Sequence, residues 1–136
     1  MSKVWLVTGS SRGLGRTIAE AVIDSGDQLV ATARRTSDLD DLVARGNGRV
    51  IAVPLDVTDV AASEAAVAAA VQHFGRLDVV VNNAGYGTLG SIEETPVDVF
   101  RNQVETNLFG VVNVTRAALP VLRQQRSGHF LSLIHI

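Results

Sequence analysis

The segment at positions 3–15, KVWLVTGSSRGLG, joins a short apolar run to a stretch of helical periodicity through three glycines, and few folds have a place for such a junction. Val4 to Val7 lack polar alternation, as in a strand buried on both faces. From position 13 onward Leu14, Ile18, Ala21 and Val22 recur at helical spacing. Between them Gly9, Gly13 and Gly15 stand in the spacing GxxxGxG. A glycine turn in that context aims a helix N-terminus, with its unpaired amides, at the carboxyl end of a sheet, which makes it a seat for a diphosphate. Gly9 is expected to allow the sharp turn, Gly13 to keep a Cβ away from the ligand, and Gly15 to let helix and strand pack closely. The alternative is an ordinary β-α turn whose glycines serve geometry alone.

The same alternation continues along the chain. Strands are predicted at 3–8, 28–33, 49–55, 77–82 and 129–133, and helices at 13–25, 39–44 and 63–74, the last closed by Gly75. After the fourth strand the tendency is helical: Thr95 reads as an N-cap, Pro96 as the first helical residue and Asp98 as an acid facing free amides. That tract is expected to form two helices with a bend near Asn107, and Pro120 either kinks the second or marks its boundary. Val67 and Val71 in the alanine-rich stretch AASEAAVAAAVQ suggest a helix lying close against a sheet. No internal repeat or linker divides the chain. The fold class that follows is α/β: a three-layer, Rossmann-type doubly wound parallel sheet, cut short after about the fifth strand.

Composition narrows the function. Of 136 residues, 46% are hydrophobic, enough for a core, while 12 Lys plus Arg against 14 Asp plus Glu leave a net charge of −2. That balance offers no basic face for nucleic acid or anionic lipid. The absence of cysteine excludes disulfides, thiolate nucleophiles and Cys-based zinc sites. No apolar stretch approaches the roughly 18 residues of a membrane span, so a soluble, cytoplasmic protein is expected. His73, His129 and His135 are too scattered for a metal cluster, and His73 is read as a helix C-terminal cap.

Further motifs follow the glycine turn in order: LDVTD at 55–59, NNAG at 82–85 and NLFG at 107–110. Together they resemble the short-chain dehydrogenase/reductase family from about Lys3 to Leu131. By that resemblance Gly9, Ser11, Arg12, Gly13, Leu14 and Gly15 form the cofactor turn, Asp56 holds the adenine amino group and Val57 lies beside the ring. Asn82, Ala84 and Gly85 line the cofactor at the fourth strand, and Asn107 is similar to the family's catalytic asparagine, which holds a helix bend and a water in a proton relay. The residues themselves also admit structural readings. Asp56 suits a turn cap, and Asn82 and Asn83 suit side-chain support of loose backbone groups. Asn107 in mid-helix is unfavourable unless it bonds something specific.

The second predicted strand ends VATARR, with Ala33 where an NAD-preferring fold carries an acid. Arg12 and Arg34 are expected to clamp a 2'-phosphate together, with Arg35 as a spare, so NADP(H) is favoured and NAD(H) is the alternative. Tyr86, the sole tyrosine, is read as a cleft wall, and Glu93 to Thr95 as decoration of a helix start.

The resemblance implies hydride transfer between nicotinamide and a small-molecule carbonyl or alcohol, and a dimer or tetramer formed through the helix at about 107–125. It also implies a serine and a YxxxK pair. The sequence contains no YxxxK, its only lysine is Lys3, and Ser132 is not assigned the serine's role. The 136 residues are therefore expected to be catalytically incomplete, with an apolar sheet edge where a further strand belongs. The alternative function is a non-catalytic NADP-binding sensor on the same fold. The terminal LSLIHI is also the translation of CTG TCT CTT ATA CAC ATC, which looks like a transposase sequencing adapter. Residues 1–131 are accordingly expected to be the N-terminal part of the nucleotide-binding domain, and 132–136 a non-native tail.

Overall fold

A computed structural model describes residues 2–133 of the chain. Strands β1 (Val4–Val7), β2 (Gln28–Ala33), β3 (Val50–Pro54), β4 (Val79–Asn82) and β5 (His129–Ser132) form one parallel sheet in the order β3-β2-β1-β4-β5. The chain winds outward from β1 to β3, then crosses back to β4 and outward again to β5. Neighbouring loops therefore part between β1 and β4, which opens a crevice beyond the carboxyl ends of those strands.

Alternating side chains divide the core into two layers. Val4, Leu6, Val30 and Val80 pack with Ala66, Val67 and Ala70 of α3 (Val60–Phe74) and with Val114, Ala118 and Leu122 of α5 (Gly110–Gln125). Val7, Leu29, Ala31, Val79 and Val81 meet Ala19, Val22 and Ile23 of α1 (Gly13–Asp24) and Leu42 of α2 (Asp40–Gly46). Both faces of the sheet are thus covered over β1, β2 and β4, as their unalternating sequences predict, whereas β5, expected to be buried as well, lies at the sheet edge with His129, Leu131 and Ser132 exposed. The alanines of α3 permit its close approach, and Gly110 has the same role at the start of α5, where a Cβ would lie 2.5 Å from Val57 Cγ2.

The ends of elements differ from expectation for local reasons. The third helix begins at Val60 rather than residue 63, because the Asp59 carboxylate caps it by accepting from the Ala62 amide at 3.1 Å. A 3-10 turn, Thr36–Leu39, precedes α2 and shifts that helix by about one residue. Thr95 is not an N-cap: its hydroxyl donates to the Ser91 carbonyl at 2.8 Å, and extended Pro96 (ψ 143°) occupies the cap position of α4 (Val97–Val104). The expected bend at Asn107 is a π-helical segment, Glu105–Phe109, joining α4 to α5. Pro120 lies within α5 on its exposed side. His73 is in the last turn of α3, but the cap is Gly75 with φ 81°. Of the expected tail, Ser132 pairs with Asn82 in β5 and the Leu133 amide donates to the Asn82 carbonyl at 3.0 Å, while 134–136, including His135, lie outside the described residues.

At the opposite end of the sheet Asp78 joins three strands. Its Oδ2 accepts from the Val4 amide at 2.8 Å, its own amide donates to the Val4 carbonyl at 2.8 Å, and its carbonyl accepts from the His129 amide at 2.9 Å. Burial alone would push the Asp78 carboxyl up, but the Arg76 guanidinium at 2.9 Å, the Val4 amide and the charge of Lys3 outweigh it and hold the group below its ordinary value of 3.8. A carboxyl held lower in the folded than in the unfolded chain stabilises fully above that ordinary value, and the contribution fades as pH falls through the folded value.

Two outcomes follow for stability. Leu6 is fully buried at the centre of the sheet, so Leu6→Ala should cost about 2–5 kcal/mol in urea unfolding, whereas a change under about 1 kcal/mol would contradict the packing. Asp78→Asn should lower the unfolding midpoint at pH 7 and flatten its fall below about pH 4. Equal losses at both pH values would show that the charge of Asp78 is not what stabilises.

Candidate functional site

The crevice is built around one hydroxyl. Thr8, 1% exposed at the end of β1, accepts through Oγ1 from the amides of Asn83 and Ala84, each at 2.9 Å, and donates to the Val81 carbonyl at 3.2 Å. The Asn83 side chain returns the connection, its Nδ2 donating to the carbonyls of Thr8 at 3.1 Å and Gly9 at 3.3 Å. The glycine turn and the NNAG loop, about 75 residues apart in sequence, are thus one hydrogen-bonded unit. Ser10 extends that unit to β2: its amide donates to the Thr32 carbonyl at 2.9 Å, its Oγ accepts from the Thr32 amide at 3.3 Å, and Thr32 Oγ1 donates to the Val7 carbonyl at 2.9 Å.

The three glycines serve different ends. A Cβ on Gly15 would fall 2.1 Å from the Gly9 carbonyl oxygen, and one on Gly9 would crowd Ala84 and Asn83 at 3.1 Å. Those two positions are closed by packing. Gly13, with φ 60°, has nothing within 4 Å of where a Cβ would stand, so its surface faces open space at the mouth of α1. Arg12 occupies the N-cap of α1 without a side-chain cap bond, which leaves the first amides of the helix directed outward with no partner among the described residues. An open cradle of unpaired amides, a positive helix end and exposed arginines fit a dinucleotide phosphate group.

The other expected residues divide between the crevice and the frame. Ser11, Ala84 and Gly85 border the crevice on the two loops, and Leu14, 58% exposed, borders it from the first turn of α1. Asn82 is 3% exposed, and its Nδ2 donates to Thr115 Oγ1 at 3.2 Å, so this side chain ties β4 to α5. Val57 is buried against Gly110, and its carbonyl accepts from Asn113 Nδ2 at 2.9 Å, so its side chain is part of the frame rather than of the open crevice. Asp56 caps its turn through Oδ1, which accepts from the Thr58 amide at 3.0 Å and hydroxyl at 2.7 Å, while Oδ2 has no partner among the described residues. Asn107 bonds the main chain of Tyr86 twice, Oδ1 accepting from the amide at 3.0 Å and Nδ2 donating to the carbonyl at 2.7 Å. This is the specific partner that a mid-helix asparagine calls for, and it fixes the loop after β4 against the π-helical segment. Tyr86 itself is 45% exposed.

Three arginines stand near the end of β2 and the glycine turn. The side chains of Arg12 and Arg34 are exposed and have no ion pair or hydrogen bond among the described residues, whereas Arg35 pairs with Asp38 at 3.4 Å. Beside them Arg16 of α1 pairs with Asp41 of α2 and with Glu20 at 3.0 Å. Asp41 and Glu20 hold the Arg16 guanidinium above its ordinary range, and Arg16 in turn holds the Asp41 carboxyl down. Among the described residues no group of three or more His, Cys, Asp or Glu side chains could hold a metal ion, and no helix is long and apolar enough to cross a membrane. Sequence reasoning passed over Thr8, Ser10 and Thr32, whose bonds join distant segments.

A doubly wound parallel sheet with an open glycine turn at its switch point defines an α/β protein of the Rossmann type. A family model described as short chain dehydrogenase matches residues 3–133, and the chain belongs to that family. It is 52% identical over 134 residues to Oxidoreductase BOA17 of Botryotinia fuckeliana, which covers 98% of this chain and 49% of the relative. It is 36% identical to human dehydrogenase/reductase SDR family member 7, over 96% of this chain and 40% of the relative. Among solved structures, a short-chain dehydrogenase from Streptomyces avermitilis superposes with a TM-score of 0.92 at 46% identity, over 97% of this chain and 49% of that one. An actinorhodin polyketide ketoreductase crystallised with NADPH gives 0.89 at 32% identity, over 96% and 52%. The chain spans about half the length of the relatives it matches.

Thr8→Val keeps the shape of the side chain but leaves two loop amides without their acceptor. It should destabilise the fold by roughly 1–3 kcal/mol and weaken dinucleotide binding. Unchanged urea unfolding and unchanged binding would remove Thr8 from its place at the centre of the site.

Proposed function

We propose that this chain supplies the cofactor cleft of an NADP(H)-dependent oxidoreductase acting on a small-molecule carbonyl or alcohol. The observation that carries the cofactor choice is the pair of unpartnered arginines, Arg12 and Arg34, next to a β2 end that has Ala33 in place of an acid. Gly9, Ser11, Gly13, Leu14 and Gly15 shape the diphosphate seat. Asp56 Oδ2 and the Val57 main chain meet the adenine, Ala84 and Gly85 flank the ribose side, and Asn82 supports them from behind. When bound, the nicotinamide supplies or accepts hydride at C4.

Asn107 holds the Tyr86 loop and the π-helical segment in one arrangement, and its role in catalysis is to present the main chain of that segment at the cleft. The chain has one tyrosine and no YxxxK, so these 136 residues bind cofactor without turning substrate over. Exposed Phe100, Val104, Leu108, Phe109 and Val112 along α4 to α5 support a homodimer or homotetramer of the full-length protein.

Arg34→Ala should weaken NADPH binding about tenfold or more and leave NADH binding within about twofold, read by nicotinamide fluorescence titration. Equal weakening of both would place Arg34 away from the 2'-phosphate and end the NADP(H) reading.

A further inference from the structure

The third arginine is held back by its own turn. Arg35 is the residue just before the 3-10 turn Thr36–Leu39, and Asp38 lies in the first turn, its amide donating to the Arg35 carbonyl at 3.3 Å. Fully buried Leu39 anchors the turn in the α1–α2 layer, so the backbone of Asp38, five residues past the strand end at Ala33, is held beside that anchor. Arg35 Nη2 lies 3.4 Å from the Asp38 carboxylate, with side-chain exposures of 78% and 39%. A pair so open to water contributes little to stability. Its effect falls instead on charge. Arg12 and Arg34 remain without partners while Arg35 is neutralised, and an acid is retained at the rim where a phosphate monoester with about two negative charges would arrive.

We propose that Asp38 sets the strength of the preference for a 2'-phosphorylated dinucleotide by keeping Arg35 out of the phosphate clamp. The inference rests on the NADP(H) reading of Arg12 and Arg34 and adds a residue that moderates it. Freed from Asp38, the long and exposed Arg35 side chain can swing toward the phosphate that Arg34 meets, both residues following β2 directly. NADH carries only an uncharged 2'-hydroxyl there and responds weakly to the pair.

The test is a double-mutant cycle on the full-length protein, read as dissociation constants for NADPH and NADH by fluorescence titration. Asp38→Asn should tighten NADPH about three- to tenfold with NADH changed less than about twofold, and Asp38→Ala should do the same. In the Arg35→Ala background most of that gain should vanish. No gain from either Asp38 variant overturns the inference, as does an equal gain with Arg35 absent, which would make Asp38 a remote charge only. The wild-type ratio tests the underlying reading separately. If wild type binds NADH as tightly as NADPH, the preference for NADP(H) fails, while an Arg35-dependent shift of the ratio by Asp38→Asn still upholds the role of Asp38.

Discussion

The arrangement of this molecule depends on the hydroxyl of Thr8. A hydroxyl has one proton and two lone pairs, and Thr8 uses all three, accepting from the amides of Asn83 and Ala84 and donating to the Val81 carbonyl. It sits where the strand order reverses, so the group that closes the sheet at its switch point also fixes the floor of the cleft. Asn83 reinforces the link from the other side, and the Ser10–Thr32 exchange carries it on to β2. The glycine turn is therefore held by β4 on one flank and β2 on the other before any ligand arrives, and the amides of α1 are presented without a search through conformations.

This frame explains why residues of one motif have different tasks. Gly9 and Gly15 lack a Cβ because backbone fills the space, while Gly13 lacks one where the cleft is open. Asn82 and Val57 face the layer beneath α5 and hold the walls, and Asp56 divides its two oxygens between a turn and the open side. Arg12 and Arg34 are left with uncompensated charge, which in a folded chain is a feature that a ligand can use.

Much of this was legible in the sequence. Strands buried on both faces read as unbroken apolar runs, and β2 was placed to the residue because Gly26 and the arginines bracket it. The mid-helix position of Asn107 signalled a specific partner, found in Tyr86. Element ends were less legible because they are decided by single hydrogen bonds: Asp59 rather than Ser63 starts α3, and Thr95 spends its hydroxyl on Ser91. The bonds of Thr8 and Thr32 were not legible at all, since their partners lie far along the chain and leave no local pattern. Arg35 already read as a spare behind Arg34, but its pairing with Asp38 was not legible, because it comes from a 3-10 turn that brings Asp38 back upon Arg35.

The most direct test of this account is to follow backbone amide resonances while the protein is titrated with 2'-phospho-ADP-ribose, which carries the adenosine and phosphate parts of the cofactor without the nicotinamide. Saturable shifts are expected at Gly13, Leu14 and Gly15, at Arg34 and at Ala84 and Gly85, with the Asp78 end of the sheet unmoved. Shifts confined to that opposite end, around Lys3, Arg76 and His129, or none at the glycine turn, would contradict it.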